Sequence, residues 1–171
     1  MKKQALITGA TSGIGRATAL RLAAEGYDIT ATGRRAERLE TLRREIEAAG
    51  GRCTALVFDV RSEAEVRKFL SPLERVDLLI NNAGLAAGLE HIDQGDTADW
   101  DAMIDTNVKG LLYVTRVVTP KMVAAGGGHV FNIGSPAPKP TKTARSTAPQ
   151  NTPCTPFRSP CAPTCCQAES R

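Results

Sequence analysis

The sequence lacks the features that mark several common classes of protein. No apolar run approaches the roughly 20 residues that a membrane-spanning helix needs, and the apolar stretch Ala5–Ile7 is too short for a signal peptide. Residues 1–135 contain one cysteine, Cys53, as is typical of proteins in a reducing compartment. The sequence therefore predicts a cytoplasmic protein with no membrane partner.

Aliphatic residues are missing from the end of the sequence. Residues 136–171 contain no Gly, Leu, Ile, Val or Met, yet they hold eight of the ten prolines and four of the five cysteines. A segment without aliphatic side chains cannot build a hydrophobic core. We therefore expect a globular domain in residues 1–135, long enough for a sizeable core, and a disordered Pro/Thr/Cys-rich tail in residues 136–171.

Residues 1–135 also lack an excess of charge of either sign. They contain 17 Lys and Arg and 17 Asp and Glu, and the net positive charge of the chain comes from the tail. This neutrality argues against a nucleic-acid partner, since such proteins carry a basic patch on their folded part. The four cysteines of the tail lack the paired Cys-x-x-Cys spacing of a zinc site, so no metal is expected.

Strand and helix patterns alternate along residues 4–133. Short apolar runs predict strands, and longer segments with apolar residues at helical spacing predict helices. The predicted strands cover 4–7, 27–32, 54–58, 76–80 and 129–133. The predicted helices cover 15–25, 36–49, a segment opened by a capping box at 62–65, and 97–125, the last bent near 107–110. Regular alternation of this kind predicts an α/β fold with a parallel sheet and helices on both faces.

A glycine-rich loop follows the first predicted strand and opens the first predicted helix. It reads Thr8-Gly9-Ala10-Thr11-Ser12-Gly13-Ile14-Gly15. Glycines at such a turn let the backbone approach a pyrophosphate, which would lie at the helix amino terminus. The spacing differs from the commoner Gly-x-Gly-x-x-Gly, and an ordinary strand-to-helix turn is the alternative. The strand before it and the helix after it favour dinucleotide binding.

Five motifs, in order and at similar spacing, resemble those of the short-chain dehydrogenase/reductase family. They are the glycine loop, Asp59-Val60, Asn81-Asn82-Ala83-Gly84, the segment around Asn107, and Asn132-Ile133-Gly134-Ser135. The resemblance covers residues 4–135. It implies a Rossmann-like, doubly wound parallel sheet of five strands in the order 3-2-1-4-5. It also implies that Asp59 meets the adenine and that residues 82–84 line the adenosine ribose.

The residues at the end of the second predicted strand indicate whether the cofactor is NAD or NADP. Proteins that prefer NAD usually keep an acid there to hold the ribose 2′-hydroxyl. Here the sequence reads Thr32-Gly33-Arg34-Arg35, and two guanidiniums suit a 2′-phosphate. The alternative is that both arginines are solvated charges on a helix. We expect NADP rather than NAD. The expected cofactor-binding residues are Gly9, Thr11, Ser12, Gly13, Ile14, Gly15, Arg34, Arg35, Asp59, Val60, Asn82, Ala83 and Gly84.

The sequence contains only part of the catalytic group that the resemblance implies. In the family a tyrosine exchanges a proton with the substrate, a lysine four residues later lowers the pKa of that tyrosine, a serine steadies the substrate oxygen, and an asparagine anchors a water. Ser135 and Asn107 match the serine and the asparagine; a turn residue and a polar group at a helix bend are the simpler interpretations. The two tyrosines, Tyr27 and Tyr113, both precede Ser135, and no Tyr-x-x-x-Lys occurs. The chain as written is therefore expected to be inactive.

The composition of the tail is typical of a GC-rich gene translated in the wrong frame. We read the third base of each codon with the first two bases of the next. The junction Ser146–Thr147 then permits tyrosine, and Gln150–Asn151 permits only lysine or glutamate. A Tyr-x-x-x-Lys is thus compatible with a shifted frame, at about the family's distance beyond Ser135. We expect a frameshift near the Ser135 codon; a native disordered linker is the alternative.

These observations predict an oxidoreductase that moves hydride between NADP(H) and a small hydroxy or oxo substrate. The segments 88–95 and 100–107 resemble the subgroup that oxidises serine and related 3-hydroxy acids. The alternative is a non-catalytic dinucleotide-binding or regulatory module with a genuine disordered tail.

The resemblance further implies that full-length members form homo-oligomers. In the chain as written, we expect the fifth strand to be an unprotected edge of the sheet. We also expect four apolar residues of the long helix to lie exposed. These are Leu111, Leu112, Val117 and Val118.

Overall fold

A computed structural model describes residues 2–88, 90–91 and 93–134, which form a parallel sheet with helices on both faces. The strands are β1 (Gln4–Ile7), β2 (Asp28–Gly33), β3 (Cys53–Val57), β4 (Leu78–Asn81) and β5 (His129–Asn132). They pair in the predicted order β3-β2-β1-β4-β5. The fold is thus the Rossmann-like arrangement that the sequence predicts, and the tail of residues 136–171 lies outside the described residues.

The helices begin and end close to the predicted positions. They are α1 (Gly13–Ala24), α2 (Ala36–Ala48), α3 (Glu63–Leu70), α4 (Thr97–Ile104) and α5 (Leu111–Ala124). Gly26, Gly50 and Gly126 follow α1, α2 and α5 with positive φ angles, a conformation that glycine adopts without steric cost. Within the described ranges, the longest and most apolar helices still fall short of what crossing a membrane requires.

Strands β1 and β4, in the interior of the sheet, are buried on both faces. Ala5 and Ile7 of β1 pack into the core layer beneath α1 and α2, whereas Leu6 packs into the layer beneath α3 and α5. Leu78 and Ile80 of β4 alternate with Leu79 in the same way. Because successive strand residues point to opposite faces, continuous apolar runs are what a sheet covered on both sides requires.

The long helical stretch is interrupted where the sequence predicted a bend. Between α4 and α5, residues Asp105–Gly110 form a π-helical segment. Gly110 lies against Val60, and a Cβ atom on it would come within 2.8 Å of the Val60 Cγ2 atom. Gly110 ends this π-helical segment. Because it has no side chain, the helix can pack closely against Val60, in the loop after β3.

One expectation about the long helix is wrong. Val118 is fully buried, because it follows Val114 by one helical turn and both side chains pack against the sheet. Leu112, on the opposite side of the helix, is exposed as expected, whereas Leu111 and Val117 are half-buried. Along β5, Phe131 is exposed, and β5 is an edge of the sheet that the described residues form.

Candidate cofactor cleft

The carboxyl ends of four neighbouring strands enclose a cleft of about 270 Å³. Its position follows from topology, because parallel strands end at the same edge and the loops on either side of β1 separate there. Ten of the thirteen expected cofactor-binding residues line this cleft. They are Gly9, Thr11, Ser12, Arg34, Arg35, Asp59, Val60, Asn82, Ala83 and Gly84. Gly33, Phe58 and Thr106, which were not among the predicted cofactor-binding residues, also line it.

The three remaining predicted residues, Gly13, Ile14 and Gly15, form the first turn of α1. Gly13 has a φ angle of 56°, and a Cβ atom on it would meet open space. Gly15 differs, since a Cβ atom there would come within 2.6 Å of the Gly9 carbonyl oxygen. Gly13 thus leaves room beside the helix terminus, whereas Gly15 allows the loop to pack closely.

Gly9 brings the glycine loop against the end of β4. Its φ angle is 65°, and a Cβ atom on it would lie 2.8 Å from the Ala83 Cα atom. Asn82 completes this contact, because its Nδ2 donates hydrogen bonds to the carbonyl oxygens of Thr8 (2.9 Å) and Gly9 (3.1 Å). The two loops that flank the cleft are therefore held together before any ligand binds.

Thr8 is a site residue that the sequence analysis missed. Its buried Oγ1 accepts hydrogen bonds from the backbone N–H groups of Asn82 (3.0 Å) and Ala83 (2.9 Å). The available signal was a threonine directly before the first glycine of the loop. Its partners lie more than 70 positions further along the chain, so only the folded structure identifies them.

The amino terminus of α1 is suited to a negatively charged group. Ser12 occupies the N-cap position but makes no side-chain capping bond, and the first turn contains no acidic residue. Free N–H groups and the helix dipole favour an anion at such a terminus. In place of a capping bond, the Ser12 hydroxyl accepts a hydrogen bond of 2.8 Å from the Arg35 guanidinium.

Arg34 and Arg35 face the cleft, unlike the arginines further along α2. Arg35 donates from Nε to the Thr11 Oγ1 at 3.2 Å and from Nη2 to the hydroxyls of Thr11 and Ser12. Arg34 is 63% exposed, and its Nη1 lies 4.0 Å from Asp59 Oδ2. Arg43 and Arg44 instead form ion pairs with glutamates of their own helix. Both arginines therefore line the cleft beside the end of β2.

Asp59 lies at the end of β3, where basic residues hold it in the charged form. Burial alone would raise its pKa, but hydrogen bonds from the Arg61 guanidinium and backbone N–H outweigh this effect, with a further contribution from Arg34. The net result is a pKa below the ordinary aspartate value of 3.8. Asp59 can thus act only as a hydrogen-bond acceptor near neutral pH.

Asn107 uses both ends of its side-chain amide to hold the backbone of one residue. Its Oδ1 accepts from Leu85 N and its Nδ2 donates to Leu85 O, each at 2.8 Å. The π-helical segment is thereby joined to the loop that follows β4. Ser135, the other expected catalytic residue, lies outside the described residues. In the part of the chain that the structure covers, no three potential ligand side chains lie close enough to hold a metal ion.

The model of the short chain dehydrogenase family matches residues 3–146. The chain is 45% identical over 136 residues to the NADP-dependent 3-hydroxy acid dehydrogenase of Salmonella typhi, a match that covers 77% of this chain and 54% of that protein. It is 47% identical over 137 residues to sulfoacetaldehyde reductase 2 of Chromohalobacter salexigens, covering 77% of this chain and 54% of the relative.

A solved structure also matches most of this chain. The closed form of a serine dehydrogenase complexed with NADP+ superposes with a TM-score of 0.73 at 43% identity, and the match covers 77% of this chain and 54% of that structure. The chain thus spans about half the length of the curated relatives it matches. The family match continues to residue 146, beyond Ser135, where the motifs identified in the sequence end.

Proposed function

The chain belongs to the short-chain dehydrogenase family, and from this membership we propose that its cleft binds NADP(H). The observation that carries the proposal is that Arg34 and Arg35, which directly follow β2, both line the cleft, where a protein that prefers NAD would keep an acidic residue at the end of that strand. Arg34 and Arg35 are suited to a 2′-phosphate through charge-assisted hydrogen bonds, whereas a free 2′-hydroxyl would be better held by a carboxylate.

The other residues of the cleft fit the remaining parts of a dinucleotide. Gly13 and the free N–H groups of the first turn of α1 would hold the pyrophosphate. Asp59 and Val60 would meet the adenine, with the Asp59 carboxylate accepting from its amino group. Residues 82–84 would line the adenosine ribose. When bound, the nicotinamide supplies or accepts the hydride; the protein binds it, orients it and excludes water.

We further propose that the intact gene product transfers hydride between NADP(H) and a small hydroxy or oxo substrate in the cytoplasm. A 3-hydroxy acid such as serine is the favoured substrate class. The supporting observations are the segments 88–95 and 100–107 and the names of the relatives, which act on 3-hydroxy acids, serine and sulfoacetaldehyde. Ser135 would steady the substrate oxygen, and Asn107 would serve the proton path.

The tyrosine and lysine that exchange the proton in this reaction would be encoded in the shifted reading frame. We propose a frameshift near the Ser135 codon, with the tyrosine encoded across Ser146–Thr147 and the lysine across Gln150–Asn151. The 171-residue chain would then bind the cofactor without reducing a carbonyl group. Because the printed sequence contains no Tyr-x-x-x-Lys, the second candidate function is a non-catalytic dinucleotide-binding module.

Equilibrium titration of the purified 171-residue chain with NADP+ and with NAD+ tests the cofactor proposal. We expect NADP+ to bind at least about tenfold more tightly, because charge-assisted contacts to the 2′-phosphate are worth about 1.5–3 kcal/mol. Arg34→Ala and Arg35→Ala should each weaken NADP+ binding and leave NAD+ binding nearly unchanged. Arg67→Ala on α3, which removes the same charge away from the cleft, is the matched control. Equal affinities for the two dinucleotides would contradict the proposal.

A further inference from the structure

Thr11 lies between Gly33 and Arg35 and contacts both. It is 8% exposed. Its Oγ1 accepts hydrogen bonds from the Arg35 guanidinium, at 3.2 Å from Nε and also from Nη2. Its methyl carbon, Cγ2, lies only 2.6 Å from the position that a Cβ atom on Gly33 would take. The two branches of one side chain thus face two different residues at the end of β2.

Gly33 occupies the end of β2, where dinucleotide-binding proteins that prefer NAD keep an acidic side chain. No side chain fits at residue 33 while the Thr11 methyl stays where it is, because real Cβ contacts are not as short as 2.6 Å. The backbone of Gly33 does not have a positive φ angle, so the obstruction is this methyl group alone. The next neighbours of the added Cβ would be Thr11 Cβ at 3.8 Å and Oγ1 at 3.9 Å, both ordinary contacts.

Thr11 cannot yield to a side chain at residue 33 without releasing Arg35. The methyl and the hydroxyl share one rotatable bond, and β-branched side chains have few allowed rotamers. Turning the methyl away from Gly33 therefore moves Oγ1 away from the guanidinium. Ser12 would remain as the other hydroxyl that accepts from Arg35.

From this geometry we propose that Thr11 is a positioning residue that sets the preference for a 2′-phosphate over a 2′-hydroxyl. Its hydroxyl orients Arg35 towards the ligand, and its methyl keeps residue 33 free of the acid that would hold the unphosphorylated ribose. This inference rests on the proposed function, because it concerns the same cleft and the same cofactor.

Four variants of the full chain test the two roles separately, with 2′,5′-ADP and 5′-AMP as the ligands. Gly33→Ala should weaken 2′,5′-ADP binding about tenfold, the effect of losing a hydrogen bond to a charged group, while 5′-AMP binding changes little. Thr11→Ser keeps the hydroxyl and should therefore retain the preference for 2′,5′-ADP over 5′-AMP. The double variant Thr11→Ser/Gly33→Ala should recover 2′,5′-ADP binding to within about twofold of the original chain, since the obstructing methyl is gone.

Thr11→Val tests the hydroxyl. It keeps the branched shape of the side chain, loses the hydroxyl and should weaken 2′,5′-ADP binding selectively.

The ratio of the affinities for 2′,5′-ADP and 5′-AMP distinguishes a positioning role from a general loss of structure. A general loss of structure would weaken the binding of both ligands together. Thr11→Val keeps the branched shape, so it tests the hydroxyl even if Gly33→Ala fails to fold. An unchanged ratio in Thr11→Val, or a double variant that binds 2′,5′-ADP no better than Gly33→Ala, would overturn the inference alone. A chain that folds and binds neither ligand would overturn the proposed function and this inference with it.

Discussion

The carboxylate of Asp77 stabilises the sheet at the amino end of β4. It accepts hydrogen bonds from the Gln4 backbone N–H at 2.8 Å and from the Arg75 guanidinium at 2.6 and 2.8 Å. Burial alone would raise the pKa of Asp77, but the bonds from Arg75 and Gln4 outweigh it and hold the pKa below 3.8. The charged form is therefore favoured more strongly in the folded than in the unfolded chain.

The pH dependence of stability follows from this depressed pKa. The contribution of Asp77 is complete above the unfolded pKa of about 3.9 and is lost as the pH falls through the lower folded value. Asp77→Asn should thus unfold at lower urea concentration than the original chain at pH 7, with a smaller difference at pH 3. Glu25→Gln, at an exposed pair on α1, is the control and should differ little at either pH. An equally large difference for Asp77→Asn at pH 7 and pH 3 would contradict the argument.

Single residues also show how far the sequence determines the site. The glycine spacing and the absence of an acid after β2 could be read directly, since both are local properties of the chain. The contributions of Thr8 and Gly33 could not, because each depends on an atom of a residue distant in sequence. Thr8 acts on the backbone of Asn82, and Gly33 matters only because the Thr11 methyl lies against it.

Among the secondary-structure elements, strand β3 offers an internal probe of folding. It begins at Cys53, whose thiol is buried, and burial raises the pKa of that thiol from 9.0 to about 11. Only the thiolate reacts with alkylating reagents, so at pH 8 its reactive fraction should be roughly 100-fold below that of an exposed cysteine. Iodoacetamide should label the Cys53 peptide slowly in buffer and rapidly in concentrated urea, as measured by mass spectrometry. Labelling at the same rate in both would show that β3 is not held in the sheet.

The boundaries of the strands and helices were predictable from the sequence. Which side of a helix faces the core was harder to predict. Apolar periodicity located the strands and helices within a few residues, because hydrophobic patterning determines them locally. It could not assign Val118 correctly, since α5 carries apolar residues on more than one side and only contact with the sheet distinguishes them. The π-helical form of Asp105–Gly110 was likewise not predicted; Gly110 at its end lies close to Val60, a residue distant in sequence.

For the molecule as a whole, the described residues form a five-stranded parallel sheet, with β5 at one edge. Asn81 joins β4 to that edge, donating from Nδ2 to Asn132 Oδ1 at 2.9 Å. Phe131 of β5 is 46% exposed, and the curated relatives are about twice as long as their match to this chain. These facts agree with the proposal that the gene encodes further structure in another frame.

The most direct test of the proposed enzyme is an independent sequence of the gene from the Gly134 codon to well beyond the Arg171 codon. Our account predicts one base gained or lost near the Ser135 codon. The corrected frame should then encode a tyrosine at the Ser146–Thr147 junction, a lysine four residues later, and a chain that continues towards the length of the relatives. If the frame stands as printed, the gene product carries the cofactor fold without the catalytic tyrosine and lysine, and the proposed hydride transfer is wrong.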